Sequence, residues 1–179
     1  MATGAIKRHP GLARRRFQNL ALALPTPLTP FQMTNAPTIL VVEDEEDSVL
    51  LLESAFRKAQ FSNPVHRVSH GALAMEYLTH AVSAKNRPVP LPALVLLDLK
   101  LPLVSGLEVL KWVRAHPLLH SLIVIIFTSS AEPRDIAEAY RAGANSYLVK
   151  PTNLSTLTEL AIGIRSYWLR LNVPPNEPR

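Results

Sequence analysis

Two segments in the middle of this 179-residue sequence are apolar at every position, and both have the length of β-strands. Residues 94–97 read Leu-Val-Leu-Leu, and residues 122–127 read Leu-Ile-Val-Ile-Ile-Phe. A strand with one face in water alternates polar and apolar residues, whereas a strand covered on both faces is apolar throughout. The two segments therefore predict central strands of a parallel sheet with helices on both of its faces.

Apolar segments and helical patterns alternate strictly along the rest of the chain. Five strands and five helices in alternation predict a doubly wound α/β fold with right-handed crossovers. The strands are predicted at residues 38–42, 65–69, 93–98, 122–128 and 146–149, and the helices at 48–60, 71–79, 106–115, 133–142 and 154–169.

The positive charge of the chain is confined to its N-terminal segment. The whole sequence has 19 Lys and Arg against 14 Asp and Glu, a net charge of +5. Residues 1–36 contain Lys7, Arg8 and the arginines at 14–16 but no acidic residue. The net charge of residues 37–179 is therefore zero. A basic surface on the folded part, which would favour nucleic acid, is therefore not expected.

The N-terminal segment is also rich in proline, which disfavours regular structure. We predict a disordered basic extension over residues 1–36, a folded domain over 37–171 and a short C-terminal tail over 172–179. Met33 offers an alternative start just ahead of the domain. An arm that binds nucleic acid or an anionic membrane is the alternative interpretation of the extension.

Composition excludes several kinds of chemistry. The sequence has no cysteine, which excludes disulfides, thiolate zinc sites and thiol catalysis. No apolar run approaches the roughly 20 residues of a membrane helix. The six histidines are scattered without neighbouring carboxylates, so a histidine metal site is not expected.

Polar side chains stand where the predicted strands end. Glu43 and Asp44 follow the first strand, Asp98 ends the third, Thr128 ends the fourth and Lys150 follows the fifth. In open α/β sheets, binding sites lie outside the carboxyl ends of the strands. Any one of these residues could be a helix cap or a solvated side chain, but together they predict a site.

Three carboxylates at one edge repel one another, and one would take up a proton unless a cation lies nearby. Oxygen ligands suit Mg²⁺, which binds one or two carboxylates together with water and phosphate oxygens. Carboxylates with Mg²⁺, a lysine and a hydroxyl form an arrangement suited to phosphoryl transfer, in which one carboxylate is the nucleophile.

The chain from about residue 38 to 170 resembles the response-regulator receiver domain of two-component signalling. That resemblance implies a flavodoxin-like sheet of strand order 2-1-3-4-5. Four motifs carry it in order: Val-Val-Glu43-Asp44, Leu-Leu-Asp98-Leu-Lys100-Leu-Pro102 followed by Gly106, Phe-Thr128-Ser129-Ser130, and Tyr147-Leu-Val-Lys150-Pro151.

The resemblance implies that Asp98 accepts the phosphoryl group. It also implies that Glu43, Asp44, Asp98 and the backbone carbonyl of Lys100 bind Mg²⁺. A receiver is not an enzyme with its own substrate, but it is expected to phosphorylate itself from small phosphodonors with Mg²⁺ and to lose the group again.

The same resemblance assigns Thr128 as the switch hydroxyl, Tyr147 as the switch aromatic residue and Lys150 as the ligand of the phosphoryl group. It implies a cis bond between Lys150 and Pro151. Lys100 and Ser130, each two positions after a site residue, are expected to tune the lifetime of the phosphoaspartate.

The chain is similar in more detail to the small single-domain regulators of bacterial phytochrome histidine kinases. The shared features are the proline-bearing connector at 81–92, the loop at 116–119 and the ending at 167–175. This similarity implies a phytochrome kinase as the phosphodonor and a cytoplasmic location.

Only residues 172–179 follow the predicted domain, so the expected output is contact with a downstream protein. The face formed by the fourth and fifth helices and the fifth strand, roughly 133–169, is expected to switch between two arrangements on phosphorylation. Ile162 and Leu169 lie off the core stripe of the last helix and suggest a homodimer through this face.

The alternative functions are a basic-arm nucleic-acid binder, a phosphate sink without a target, a degenerate scaffold and a Mg²⁺-dependent phosphatase. Lys100 argues against the phosphatase.

Overall fold

A computed structural model of the chain describes Met1 and residues 36–83 and 89–175. The predicted disordered extension over 1–36 falls almost entirely outside the described residues. Part of the connector at 81–92 and the end of the predicted tail over 172–179 also lie outside them.

The described chain forms one five-stranded parallel sheet of order β2-β1-β3-β4-β5. This order and the doubly wound architecture confirm the predicted fold class. The strands are β1 (Ile39–Val42), β2 (Val65–Val68), β3 (Leu94–Leu97), β4 (Ile123–Thr128) and β5 (Ser146–Val149).

The crossovers between strands are helical, and the residues that begin the helices explain where they start. Ser105 and Glu108 form a reciprocal capping box at the third helix, and Asn153 accepts the N–H of Thr156 at the fifth. Proline lies in the first turn of the fourth helix, where its missing N–H does no harm. The helices are α1 (Glu46–Lys58), α2 (Gly71–Val82), α3 (Gly106–Ala115), α4 (Pro133–Arg141) and α5 (Leu154–Ser166).

The core consists of two apolar layers, one on each face of the sheet. Successive side chains of a strand point to opposite faces, so a fully apolar strand supplies both layers. In β3, Val95 and Leu97 pack in the layer of α2 and α3, whereas Leu94 and Leu96 pack in the layer of α1 and α5. Every residue of β1, β3 and β4 is buried, and for β3 and residues 123–127 the apolar runs predicted this burial.

The end of α5 differs from the prediction of one helix over 154–169. The α-helix ends at Ser166, and a π-helical turn continues over Tyr167–Leu171. A π-turn has more residues per turn than an α-helix, so the side chains within it are rotated away from the positions they would have in an α-helix. Leu169 therefore packs against the core and is not on the exposed face, whereas Ile162 is 42% exposed as predicted.

The predicted cis bond before Pro151 is wrong in this structure. No peptide bond in residues 36–83 or 89–175 is cis, so Lys150 and Pro151 are joined in trans. The trans form is the ordinary preference of such bonds, by about 0.5–1 kcal/mol. Each described helix is too short or too polar to span a lipid bilayer.

Arg114 connects the end of α3 to the loop before β4 and to the loop before β5. Its guanidinium donates to the carbonyls of Gly143, Leu122 and His120 at 2.8, 2.8 and 3.0 Å, and to the side-chain oxygen of Asn145 at 2.7 Å. Gly143 has a positive φ of 96°, a conformation that favours glycine. One half-buried side chain thus holds the turn before β5 against the start of β4.

Candidate functional site

Glu43 and Asp98 lie side by side because their strands are paired in register. Val42 of β1 is opposite Leu97 of β3, so the residue after each strand emerges at the same edge of the sheet. The N–H of Asp98 donates to the carbonyl of Val42 at 3.1 Å, which extends the pairing by one step. Glu43 is only 3% exposed and Asp98 only 4%. Two acidic side chains are therefore held almost out of water at the carboxyl ends of two adjacent strands.

Asp44 completes a group of three carboxylates. One oxygen each from Glu43, Asp44 and Asp98 lies within 4.8 Å of the other two. Asp44 is exposed, so the group has two buried members and one member that faces water. The structure brings together the three acidic side chains that the strand ends predicted.

Lys150 bridges the two buried carboxylates. Thr128 of β4 is opposite Val149 of β5, and the next residue, Lys150, extends over the site. Its Nζ contacts Oε2 of Glu43 and donates to Oδ2 of Asp98 at 2.8 Å. Only 11% of the lysine side chain is exposed, so water screens this contact weakly.

Burial and the contacts among Glu43, Asp98 and Lys150 shift the pKa values of the three groups in different directions. Burial raises the pKa of Glu43 above its ordinary value, although Lys150 opposes this effect. Burial would also raise the pKa of Asp98, but hydrogen bonds from Lys150 and Thr128 bring it below the ordinary value. Burial would lower the pKa of Lys150, but its bonds to the two carboxylates raise it instead. The site thus favours an ionised Asp98 beside a charged lysine.

The carboxylate group fits a hard divalent cation. All three candidate side chains present oxygen, the donor that Mg²⁺ and similar ions prefer. Lys150 supplies one positive charge against three carboxylates. Burial raises the pKa of Glu43, and the nearby charge of Asp98 adds to the effect. Glu43, Asp44 and Asp98 are the side chains that would hold such an ion.

The backbone after β3 folds tightly around Asp98. The N–H of Lys100 donates to Oδ1 of Asp98 at 3.2 Å, which orients the carboxylate. A Cβ at Gly106 would lie 1.9 Å from the backbone oxygen of Asp98, so no larger residue fits there. The predicted role of the Lys100 carbonyl as a metal ligand stays a prediction.

The loop after β4 joins Thr128 to Tyr147 through Ser130. Thr128 is fully buried, and its Oγ1 accepts the N–H of Ser130 at 3.4 Å. Half-buried Tyr147 donates its hydroxyl to the carbonyl of Ser130 at 3.0 Å. The Ser130 hydroxyl donates to Asp135 at 2.5 Å. The predicted switch residues are thus connected through Ser130.

Asp135 is the residue of this region that the sequence reasoning missed. It lies in the first turn of α4, where an acidic residue ordinarily serves the helix dipole. The sequence offers only a serine five residues earlier, and that spacing does not by itself predict a contact.

Fold and site together define a doubly wound α/β protein whose pocket combines buried carboxylates, a bridging lysine and a strand-end hydroxyl. A model of the response regulator receiver domain matches residues 39–162. The chain belongs to the response regulator receiver family, whose members act as phosphoacceptors.

Several relatives are regulators of similar length. Response regulator Rcp1 of Synechocystis sp. is 33% identical over 137 residues, which cover 76% of this chain and 92% of Rcp1. The crystal structure of the Mn(2+)-bound form of Rcp1 is similar with a TM-score of 0.68. The alignment covers 78% of this chain and 99% of the Rcp1 chain.

Two further solved structures are similar. The phosphorylated cyanobacterial phytochrome response regulator RcpA is 31% identical with a TM-score of 0.71, covering 79% of this chain and 99% of that one. The bacteriophytochrome response regulator RtBRR is 39% identical with a TM-score of 0.60, covering 79% of this chain and 85% of that one.

Proposed function

We propose that this protein accepts a phosphoryl group on Asp98 and signals as a single-domain response regulator, through the domain at residues 37–171. The observation that carries the proposal is the bridge from Lys150 to Asp98 and Glu43, whose side chains are all nearly buried. A lysine held there by two carboxylates is placed to bind the oxygens of an incoming phosphoryl group.

The transfer uses Asp98 as its nucleophile. The lowered pKa of Asp98 keeps its carboxylate ionised near neutral pH, and so one oxygen has a lone pair to attack phosphorus. The new oxygen–phosphorus bond forms as the bond between phosphorus and the donor breaks, and the donor keeps that electron pair. Lys150 then moves its hydrogen bond from the carboxylate to a phosphoryl oxygen, and the hydroxyl of Thr128 binds another.

A divalent cation at Glu43, Asp44 and Asp98 would offset the charge of the phosphoryl oxygens. We assign Mg²⁺ to this role, with the carbonyl of Lys100 as a further ligand. The Mn(2+)-bound form of Rcp1 supports a divalent cation in a similar protein. Mg²⁺ suits the site because it keeps several waters and needs only one or two carboxylates.

The phosphodonor that we infer is a phytochrome histidine kinase in the cytoplasm. The support is similarity to RcpA and RtBRR, whose names identify them as phytochrome and bacteriophytochrome response regulators. Phosphotransfer from a panel of purified histidine kinases would test this pairing. Preferential transfer from kinases outside the phytochrome group would contradict it.

The output surface that we infer is the α4–β5–α5 face, which would also bind a downstream protein or a second copy of this chain. Tyr140 of α4, Val149 of β5 and Ile162 of α5 are all exposed apolar side chains on these elements. Sedimentation of the unphosphorylated and phosphorylated protein tests the dimer. A monomer at micromolar concentration in both states would contradict it.

The assignment of the acceptor is tested by replacing Asp98 with Asn. The protein is incubated with acetyl phosphate and Mg²⁺, and its intact mass is measured. The wild type is expected to gain one phosphoryl group, whereas Asp98→Asn gains none. Asp47→Asn, at an exposed aspartate in the first turn of α1, is the matched control and should be phosphorylated normally. A phosphorylated Asp98→Asn variant would refute the assignment.

A further inference from the structure

The N–H, the hydroxyl and the carbonyl of Ser130 each form a hydrogen bond to a different residue. Its N–H donates to the Thr128 hydroxyl oxygen, its hydroxyl donates to Oδ2 of Asp135, and its carbonyl accepts the Tyr147 hydroxyl. The residue is only 4% exposed, so water does not compete readily for these bonds. One buried serine is therefore bonded to both of the proposed switch residues and to α4.

The bond to Asp135 fixes the position of the loop. The Ser130 hydroxyl also accepts the N–H of Glu132 at 3.4 Å, so its donor and acceptor capacities are both used within the start of α4. A hydrogen bond to a carboxylate is stronger than one between neutral groups. The carbonyl that receives Tyr147 is consequently held at a fixed distance from α4.

We propose that Ser130 is a positioning residue whose bond to Asp135 holds Tyr147 half-buried before any phosphoryl group is present. The side-chain contact acts through the backbone: it fixes the loop, and the loop presents the carbonyl to Tyr147. This inference rests on the proposed function only for its signalling consequence. When the Thr128 hydroxyl turns to a phosphoryl oxygen, the bond from Ser130 to Asp135 keeps the loop in place.

A consequence is that the Tyr147 position depends on the Ser130 hydroxyl in the resting protein. Without the hydroxyl, the loop has lost a bond to a charged acceptor, and the ratio of half-buried to exposed Tyr147 should fall by about tenfold. Threonine at position 130 keeps a hydroxyl and should restore the ratio. Asp135→Ala removes the same bond from the other side, at a half-buried residue outside the core.

The test uses the full chain labelled with fluorotyrosine and observed by fluorine NMR without phosphodonor. The chain has four tyrosines, and Tyr147→Phe identifies the resonance to be followed. Ser130→Ala and Asp135→Ala should each move this resonance toward the position of an exposed tyrosine, and the double variant should move it no further. Ser130→Thr should restore it. Ser129→Ala, at the exposed neighbour, is the matched control and should leave it unchanged.

Urea unfolding of the same variants separates positioning from general destabilisation. A resonance that moves in Ser130→Ala at urea concentrations far below unfolding, and returns in Ser130→Thr, supports the proposal. An unchanged Tyr147 resonance in Ser130→Ala or Asp135→Ala overturns it. Because no phosphodonor is present, this result is independent of whether Asp98 is the acceptor.

Discussion

Replacing Lys150 with Met tests whether this lysine is the charge that makes the acidic pocket stable. Its ammonium lies 2.8 Å from Asp98 and also contacts Glu43. At an effective dielectric constant of about 20, opposite charges at this separation attract by about 6 kcal/mol, part of which the desolvation of the three groups offsets. Removing one partner of a buried pair typically costs about 3–5 kcal/mol. We expect Lys150→Met to lose about 3 kcal/mol of unfolding free energy near neutral pH without divalent metal.

The loss should depend on pH with a definite sign. Without Lys150, burial and the mutual repulsion of Glu43 and Asp98 leave a carboxyl whose pKa is raised in the folded state. A group with a raised folded pKa stabilises the protein at low pH and loses that contribution as pH rises. The deficit of the variant should therefore be larger at about pH 8 than at about pH 5, and divalent salt should reduce it.

Urea unfolding followed by circular dichroism measures these differences. Lys58→Met, at an exposed lysine in the last turn of α1, is the control and should change stability by less than about 0.5 kcal/mol. The reasoning is refuted if Lys150→Met unfolds at the wild-type urea concentration. It is also refuted if the deficit is the same at both pH values.

Three further variants test other parts of the structure. Arg114→Lys loses the forked bonds to three carbonyls and Asn145, and urea unfolding should show a loss of about 2 kcal/mol. Gly106→Ala places a Cβ against the backbone oxygen of Asp98, so thermal unfolding should report at least about 3 kcal/mol of destabilisation, and phosphorylation from acetyl phosphate should fall. Burial raises the pKa of Tyr77, so its contribution to stability is present below about pH 10 and lost as pH rises through the raised value. Tyr77→Phe should start less stable by about 1 kcal/mol, because the bond to a backbone carbonyl is lost, and then lose less stability than the wild type in alkaline urea titrations.

The sheet was predictable because its strands are buried on both faces. β3 and β4 are apolar at each central position, a pattern that leaves little choice but a covered parallel strand. Helix ends were less predictable. The sequence placed the end of α2 at residue 79, but the helix continues to Val82 because its apolar face extends to buried Ala81. The π-turn after Ser166 carries no local signal, and it decides whether Leu169 is buried or exposed.

The residues of the site were predictable from the sequence, but the hydrogen bonds around them were not. Strand-end positions identify Glu43, Asp98 and Lys150, since parallel strands deliver their carboxyl ends to one edge. The contact between Ser130 and Asp135 depends on the path of the loop and on the orientation of α4. Such a contact has no sequence period, because it is set by tertiary packing and not by the repeat of a helix or strand.

The sequence separation of the site residues also has a consequence for folding during synthesis on the ribosome. Asp98 and Lys150 are bonded across 52 residues of sequence, and Glu43 precedes both. Ribosomes extend chains at about 5–20 residues per second, so the lysine follows Asp98 by roughly 3–10 s. During that interval β1 and β3 can pair, but burying their two carboxylates would leave both without the ammonium of Lys150. Until β5 docks, this edge of the nascent sheet must stay hydrated, take up a proton or hold a divalent cation. The last of these five strands to be synthesised therefore brings the lysine that lets the two carboxylates be buried.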